Sequence, residues 1–491
     1  MYFTPSLFHN LYQPFKCNKR VWLKANHPEL ADDDSDFRNL LVTRGNLLEE
    51  SHLSSFNDWY RPSYTNLRDG YRATMDLIKN HAPVIYQGVL IDQKNNLLGI
   101  PDFLILDQSG TYKLRESKLA VDLPAHPEIF LQLGIYRIIA KEALGYEPDL
   151  EILCGNGQIV SELSVSDKEE VFSAIEFYKS LQNGNEPEEP VGWSKCQQCV
   201  FRGYCWDGAI ERRCVATVPS VDQGAAKKFW DIGVKTYDHL YEFSDELLVN
   251  IERPWGNRLQ RIGATRARKI KLEVQSLITQ QMKVISRPFL PPGYSPGKRP
   301  VIMFDIENDV FDPELGVKVY LWGCLLITDE GIQEPALILA DKGIEGDRDG
   351  WFSFLEYADR IFVKYGNIPF IHYSSHEQTW VKKYIERYGD PEGIASRVLD
   401  NLWDMYPAIT RSIVLPVPSY GLKNVEKVAG FTRSQDEYGG LWSIIMYDQY
   451  LNAVTQEDAD LIIEKIMIYN YEDILASYKV YEWLESISKD N

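Results

Sequence analysis

The chain has 491 residues, of which 44% are apolar and 25% are charged, a composition typical of globular rather than disordered or fibrous proteins. Its length predicts about three folded units. The net charge of −19 excludes an overall positive field that would attract nucleic acid or an anionic membrane, so any nucleic-acid partner must be held by a local basic patch or by metal ions.

Two further features concern the cellular compartment. The seven cysteines are an odd number in a long chain, which argues against a secreted disulfide framework. The N-terminal segment lacks the apolar core of a signal peptide, and no run of about 18 apolar residues predicts a membrane span. We therefore expect a cytoplasmic protein with no membrane partner.

Composition also predicts where the chain divides. Residues 287–300 contain five prolines and two glycines, which predicts an extended linker. A softer boundary follows the cysteines that end near Cys214. The predicted units are residues 1–215, a mostly helical and basic middle region at 216–286, the linker at 287–300, and residues 301–491. Strands alternate with helices in the first and last units, which predicts two α/β domains around a helical middle.

The first unit combines predicted helices at 38–58 and 127–145 with two strand pairs. Residues 96–106 and 110–121 form the first pair, and residues 151–163 form a second hairpin that turns at 155–157. Glu116 and Lys118 lie two apart on one strand and therefore share a face, and Asp102 begins the neighbouring strand. Two close carboxylates bind a hard divalent cation, and an adjacent lysine can orient or deprotonate a water for attack on phosphorus.

Two helices complete this pattern. RGNLLEESH carries Glu49 and His52 on the first helix, and FLQLGIYR places Gln132 and Tyr136 one turn apart on the second. In this order the motifs resemble the PD-(D/E)XK nucleases of the RecB-like group. The resemblance implies a restriction-endonuclease-like fold, with the Gln and Tyr beside the active site and substrate. Glu49 stands where histidine is usual, which is an accepted variation, so the resemblance implies no role for His52.

The resemblance also implies a role for each site residue. Mg²⁺ or Mn²⁺ would be held by Glu49, Asp102 and Glu116. The implied catalytic residues are Asp102, Glu116, Lys118, Gln132 and Tyr136.

Cysteines close the first unit. Cys196, Cys199 and Cys205 have the spacing C-x₂-C-x₅-C, which is typical of metal or iron–sulfur ligands. Spacing alone leaves the fourth ligand open between Cys214 and Cys17. RecB-like nucleases with a cluster place one cysteine before the nuclease core and three after it, which implies Cys17 and favours a [4Fe–4S] cluster over zinc. Cys154 and Cys324 lie in apolar strands and are expected to be plain core residues.

The last unit contains a second acidic pattern. Strand VIMFDIEND places Asp305 and Glu307 on one face, strand VYLWGCLLI follows, and residues 458–484 form a long helix. Ionised acids among apolar residues are costly unless solvent or metal satisfies them. The pattern resembles the first motif of DEDD exonucleases in the ribonuclease-H-like superfamily.

Two later motifs extend this second resemblance. FIHYSSHEQTW resembles the second DEDD motif, with Glu377 in place of the usual aspartate, and IYNYEDILAS resembles the tyrosine-bearing third motif. The resemblance implies two metals about 3.5–4 Å apart, with Tyr469 positioning the attacking water. The implied metal ligands are Asp305, Glu307, Glu377 and Asp473. Asp404 is expected to support the site, and Lys423 to touch a phosphate.

A basic stretch lies between these domains. Residues 252–300 hold eleven lysines and arginines against two acids, a local reversal in an acidic chain. This favours contact with a phosphate backbone, although a solvated helix face is the alternative. RIGATRARKI loosely resembles a helix-hairpin-helix. The candidate nucleic-acid-binding residues are Arg261, Arg266, Arg268, Lys269 and Lys423.

The whole order resembles RecB-like nucleases that carry a C-terminal ribonuclease-H-like module. It implies a metal-dependent hydrolase of phosphodiester bonds, specifically an exonuclease that acts on single-stranded DNA ends. RNA is the other candidate substrate. A helicase is a candidate partner, and DNA repair is a candidate pathway. The main alternative is a nucleic-acid-binding adaptor of a helicase whose second site is inactive. A redox protein that uses the cluster for electron transfer is a third hypothesis.

Overall fold

The computed structural model describes residues 2–32, 35–256, 258–312, 315–434 and 440–490. Its contacts divide the chain into two units. The first comprises Met1–Glu189, Ser194–Cys205 and Phe311–Gly316, and the second comprises Pro190–Trp193, Trp206–Val310 and Val317–Asn491. Among the described residues, no helix combines the length and apolar content that a membrane crossing requires.

The first unit is built around a five-stranded sheet in the order β1-β4-β5-β6-β7. Its strands, with a separate β2–β3 pair, are β1 (Val84–Tyr86), β2 (Leu90–Asp92), β3 (Leu97–Gly99), β4 (Phe103–Leu106), β5 (Tyr112–Lys118), β6 (Leu150–Cys154) and β7 (Ile159–Val160). The pairs β1–β4, β4–β5 and β6–β7 are antiparallel and β5–β6 is parallel. Both predicted hairpins are therefore confirmed.

The first unit also contains helices, the last of which begins in the second unit. In chain order they are α1 (His9–Tyr12), α2 (Asn18–Asn26), α3 (Ser35–Leu53), α4 (Leu67–Lys79), α5 (Pro127–Leu144), α6 (Lys168–Asn183) and α7 (Trp193–Cys196). The prediction for 127–145 agrees with α5, whereas the helix predicted at 38–58 is α3 and ends earlier. α5 connects the parallel strands β5 and β6 and is buried on most sides, as its apolar sequence predicts. This connection places α5 beside the end of β5.

The second unit begins with the predicted middle region. Its helices are α8 (Gly208–Glu211), α9 (Gln223–Asp231), α10 (Tyr237–Glu242), α11 (Asp245–Asn250) and α12 (Gly263–Thr279). The sequence did not reveal an antiparallel hairpin of β8 (Glu252–Trp255) and β9 (Arg258–Arg261) that precedes α12. Strand β10 (Lys283–Val284) then pairs with β17 (Ile413–Val414). The middle region thus belongs to the same compact unit as the C-terminal residues, and the division of the chain falls after Cys205.

Residues 287–300 contain no described helix or strand, as their prolines predict. They are not a free spacer, however. Arg299 and Glu485 form a buried ion pair at 2.9 Å, and the Gly297 amide donates to the same glutamate. This segment therefore packs against the last helix of the chain.

The C-terminal sheet has the order β13-β12-β11-β15-β16, with β14 also paired to β12. Its strands are β11 (Val301–Asp312), β12 (Gly316–Thr328), β13 (Gly331–Ile332), β14 (Ala336–Leu339), β15 (Phe370–His372) and β16 (Leu402–Asp404). β15 runs parallel to both β11 and β16. Helices follow as α13 (Gly343–Tyr365), α14 (His376–Tyr388), α15 (Ile394–Asn401), α16 (Met405–Ser412), α17 (Leu422–Val428), α18 (Gly440–Leu451) and α19 (Gln456–Asp490).

Alternation along β11 separates two cores. Val301 and Met303 face a core that includes Ile474 of α19, whereas Ile302 and Phe304 face an aromatic core on the other side. Asp305 and Glu307 continue the odd-numbered face. The pleat therefore directs both acids toward the side on which α19 packs. The expected core cysteines Cys154 and Cys324 are buried.

Candidate active sites

Three carboxylates converge in the C-terminal domain. Asp305 and Glu307 project from β11, and Asp473 projects from α19. Their ligand oxygens all lie within 4.8 Å of one another, and this is the one such acidic group found among the described residues. The donors are oxygens, which suit a hard cation such as Mg²⁺ or Mn²⁺.

Burial makes this cluster electrostatically costly. Burial raises the pKa of Asp305, and the charges of Asp473, Glu307 and Glu377 raise it further. Burial likewise raises the pKa of Glu307 to about 8, with the charge of Asp473 adding to the effect. Burial also raises the pKa of Asp473, against the nearby positive charge of Arg433. The three groups therefore repel one another when ionised and favour a cation between them.

Neutral side chains hold two of these acids. The Asn470 amide donates to Asp305 at 2.6 Å, and the Ser443 hydroxyl donates to Glu307 at 2.6 Å. Asn470 is fully buried. It lies three residues before Asp473 on α19, so helical spacing was a signal that could have identified it.

Arg433 neutralises the third acid. Its guanidinium donates to Asp473 at 2.5 Å and makes two bonds of 2.8 Å to the carboxylate of Glu426 on α17. Burial lowers the pKa of Arg433, but both carboxylates outweigh that effect and raise it. The sequence carried no signal for this residue, because its role depends on the packing of α17 against α19.

The other predicted residues surround this cluster. Glu377 at the start of α14 is buried and lies 3.1 Å from His372 Nδ1, outside the group of three. Tyr469 is also buried, and the Lys423 ammonium lies 5.4 Å from its ring centroid. Burial raises the pKa of Tyr469, and so does the charge of Asp473. Asp404 accepts hydrogen bonds from the Tyr406 and Ser374 amides and thereby caps α16.

Comparison with protein families bears on this site. Residues 302–485 match the family model described as RNase H superfamily. This match supports an RNase-H-like domain in the C-terminal part of the chain. The matched residues include all three clustered carboxylates. No curated protein and no solved structure matches the chain.

The first unit brings together the D…E-x-K residues. Asp102 immediately precedes β4, and its amide lies 3.4 Å from Glu116 Oε2 on β5. The Lys118 ammonium donates to Glu116 at 2.9 Å. The Tyr136 hydroxyl lies 3.5 Å from the same carboxylate, and the Cβ of any residue replacing Gly99 would lie 2.7 Å from the Tyr136 ring.

Charge is concentrated at this site. Burial raises the pKa of Asp102, and the charges of Glu116 and Glu49 add to that effect. Burial lowers the pKa of the Lys118 ammonium, but Glu116 and Asp102 outweigh burial and raise it above its ordinary value. Lys118 is therefore a cation here, which suits orientation and charge stabilisation rather than removal of a proton.

Glu49 approaches the site from α3. It accepts hydrogen bonds from the Tyr86 hydroxyl at 2.8 Å and the Gln87 amide at 3.2 Å. Burial raises its pKa, and the charge of Glu116 contributes. Over the described residues, however, Glu49, Asp102 and Glu116 do not form a trio with ligand atoms within 4.8 Å.

His52 lies apart from these acids. Its Nε2 is 2.6 Å from Arg115, which pairs with Glu151. Gln132 instead contacts His9, with Nε2 atoms 2.9 Å apart. Burial, together with the charge of Lys118, lowers the pKa of His9 to about 4, so the imidazole is neutral at neutral pH. His9 belongs to the N-terminal segment, and no motif in the sequence had indicated it.

The four predicted cysteine ligands all belong to the first unit, whereas Cys214 is buried in an apolar cluster of the second. Burial raises the pKa of Cys205 to about 12, and the charges of Cys196, Cys199 and Cys17 contribute. Cys17 therefore lies near Cys196, Cys199 and Cys205. Within the described chain, no three of these four sulfurs lie within 4.8 Å of one another.

The basic candidates differ in their contacts. Arg266 donates to Asp222 at 2.7 Å, and Lys269 donates to the Thr410 carbonyl at 2.9 Å, so both have partners within the protein. Arg261 and Arg268 are exposed, and Arg261 lies 3.4 Å from Glu252. Arg268 lines a shallow cavity of about 410 Å³ beside α12.

Proposed function

We propose that this protein is a metal-dependent nuclease that hydrolyses phosphodiester bonds. The observation that carries the proposal is the convergence of Asp305, Glu307 and Asp473 within an RNase-H-like domain. The three carboxylates would hold Mg²⁺ or Mn²⁺. A bound cation there would polarise a phosphodiester and lower the pKa of a water.

The surrounding side chains support this chemistry. Asn470 and Ser443 fix the orientation of Asp305 and Glu307, and Arg433 fixes Asp473. The Lys423 ammonium, beside the Tyr469 ring, would contact a phosphate. Tyr469 would position the attacking water, and Glu377 would act on Asp305 through its charge.

We also propose a second catalytic centre in the first unit, of the RecB-like PD-(D/E)XK type. It is supported by the hydrogen bonds that join Asp102, Glu116 and Lys118, and by Tyr136 beside them. Glu49, Asp102 and Glu116 would hold the metal. Lys118 would stabilise negative charge on the phosphate, and Gln132 and Tyr136 would face the substrate. We propose single-stranded DNA ends as the substrate.

A [4Fe–4S] cluster held by Cys17, Cys196, Cys199 and Cys205 is part of the proposal. Two thiolates on one zinc can be no more than about 4.6 Å apart, since each Zn–S bond is about 2.3 Å. In every set of three among these sulfurs at least one pair is farther apart than 4.8 Å, which favours the larger cluster. It would join the two ends of the first unit, as folding-coupled metal sites do.

End-labelled single-stranded DNA and RNA provide the test. Protein with Mn²⁺ should cut at least one strand, and Asp305→Asn and Lys118→Met should each remove one set of products. Asp329→Asn and Lys179→Met are matched controls, because both side chains are exposed at the surface. Absence of cleavage by protein that binds the strands would reject the enzyme in favour of the adaptor. Brown protein with absorbance near 400 nm would identify iron–sulfur rather than zinc.

A further inference from the structure

An exposed aromatic surface lies next to the acids of the first unit. The described residues of the first unit include six exposed aromatic side chains. Three of these fall within six residues of one another: Trp59 (44% exposed), Tyr60 (48%) and Tyr64 (40%). Arg61, between them, is also exposed. Large exposed aromatic clusters mark interaction surfaces in proteins of this kind.

Backbone hydrogen bonds fix this segment against the edge of the sheet. The Tyr60 amide donates to the Val84 carbonyl at 2.9 Å, and the Tyr86 amide donates to the Tyr60 carbonyl at 2.9 Å. Residues 59–61 therefore run alongside β1 in extended form. Because side chains alternate along an extended chain, Trp59 and Arg61 share one face.

That face contacts Tyr86. The Trp59 ring meets the Tyr86 ring edge-on with centroids 6.2 Å apart, and the Arg61 guanidinium lies 5.4 Å from the same ring centroid. The Tyr86 hydroxyl donates to Glu49. The aromatic surface is therefore one side chain away from the proposed metal ligand.

Gln87 makes a second connection. Its side chain accepts a hydrogen bond from Arg61 and donates to Glu49, and its backbone amide donates to the Asp102 carbonyl at 2.9 Å. Gln87 has a φ of 54°, a strained value for a residue with a side chain. Such strain persists where surrounding contacts impose it, and it clusters at functional sites.

From this arrangement we infer that Trp59 and Arg61 bind an unpaired stretch of nucleic acid and lead it to Glu49, Asp102 and Glu116. The inference rests on the proposed nuclease function and assigns the side chains that hold its single-stranded substrate. A base stacks on the Trp59 indole, and Arg61 contacts the adjoining phosphate. Exposed rings combined with a cation are the means by which proteins hold single strands without sequence preference. Paired bases in a duplex offer no free face to such a ring.

The test measures binding in EDTA, where no cleavage occurs. Fluorescein-labelled dT and rU oligonucleotides, a blunt duplex and an abasic strand are titrated with the full-length protein. Trp59→Ala should weaken binding of the base-bearing single strands about 5- to 100-fold. It should leave the duplex and the abasic strand unchanged. Trp59→Phe keeps a ring and should stay within about threefold of the original protein.

Phe177→Ala is the matched control, because Phe177 on α6 is 43% exposed and should not affect binding. Irradiation of a 5-iodouracil strand should also cross-link it to the peptide that contains Trp59. A loss for only dT or only rU identifies which of these two nucleotides, deoxythymidine or uridine, this surface accepts.

Equal affinities for Trp59→Ala and the original protein, or an equal loss for duplex and abasic strand, overturn the inference. If Trp59→Ala and the original protein bind every strand equally well, the exposed rings are instead a surface for a protein partner. Cleavage that persists without Trp59-dependent binding rejects the inference alone. Cross-linking at Trp59 without any cleavage rejects the nuclease and keeps the inference.

Discussion

Gly323 on β12 makes room for the side chain that orients Asp305. The Cβ of an alanine at this position would lie 2.1 Å from Asn470 Oδ1 and 2.7 Å from a terminal carbon of Ile474. Neither neighbour can yield freely, because both are fully buried on α19. Gly323→Ala must therefore displace Asn470 and break its 2.6 Å hydrogen bond to Asp305.

The two effects set the expected magnitude. Overpacking a core costs about 1–3 kcal/mol, and a lost hydrogen bond to an acidic group costs about as much again, so we expect the free energy of unfolding to fall by about 2–6 kcal/mol. Loss of a residue that orients a metal ligand lowers affinity about 10- to 100-fold. Urea unfolding and Mn²⁺ titration followed by electron paramagnetic resonance measure the two quantities.

A double-mutant cycle isolates the cause. On an Asn470→Ala background only the clash with Ile474 remains and no hydrogen bond to Asp305 is left to lose, so Gly323→Ala should cost about 1–3 kcal/mol more. Gly45→Ala is the control, since nothing lies within 4 Å of that Cβ and its helix should gain up to about 1 kcal/mol. Additive costs in the cycle, or unchanged Mn²⁺ affinity in Gly323→Ala, would refute the reasoning.

Three further predictions concern charge and capping. Arg433→Met leaves Asp473 and Glu426 without their ion-pair partner, so the free energy of unfolding measured by heat in EDTA should fall by about 3–5 kcal/mol. Added Mn²⁺ should reduce this loss, and an equal loss with and without Mn²⁺ would contradict the prediction. His9 has a folded pKa of about 4, below its unfolded value, so stability is lost as the pH falls from about 6.5 to 4, by about 3 kcal/mol at most. His9→Gln should remove that dependence from urea midpoints measured at several pH values, and an unchanged slope would count against it. Asp404→Ala removes a helix cap and should cost about 1–2 kcal/mol in urea without changing Mn²⁺ affinity, and weaker Mn²⁺ binding would instead make Asp404 a ligand.

Local periodicity determined much of the fold in advance. The alternating strands around Asp102 and Glu116, the hairpin after β6, the helix α5 and the long helix α19 all follow from short-range patterns. The two-residue spacing of Asp305 and Glu307 fixed their common face. The RNase-H-like character of the C-terminal domain was predicted from such motifs and is supported by the family comparison.

Other features required the tertiary structure. His9 reaches Gln132 across more than one hundred residues, and Arg433 reaches Asp473 across forty. No local pattern encodes such pairs, because their residues meet only through the packing of whole elements. The same reason explains why residues 287–300, which have the composition of a linker, pack against α19 through the buried pair of Arg299 and Glu485. Sequence spacing selected the acids that can bind a cation, but burial and distant partners decided which of them converge and how each is held.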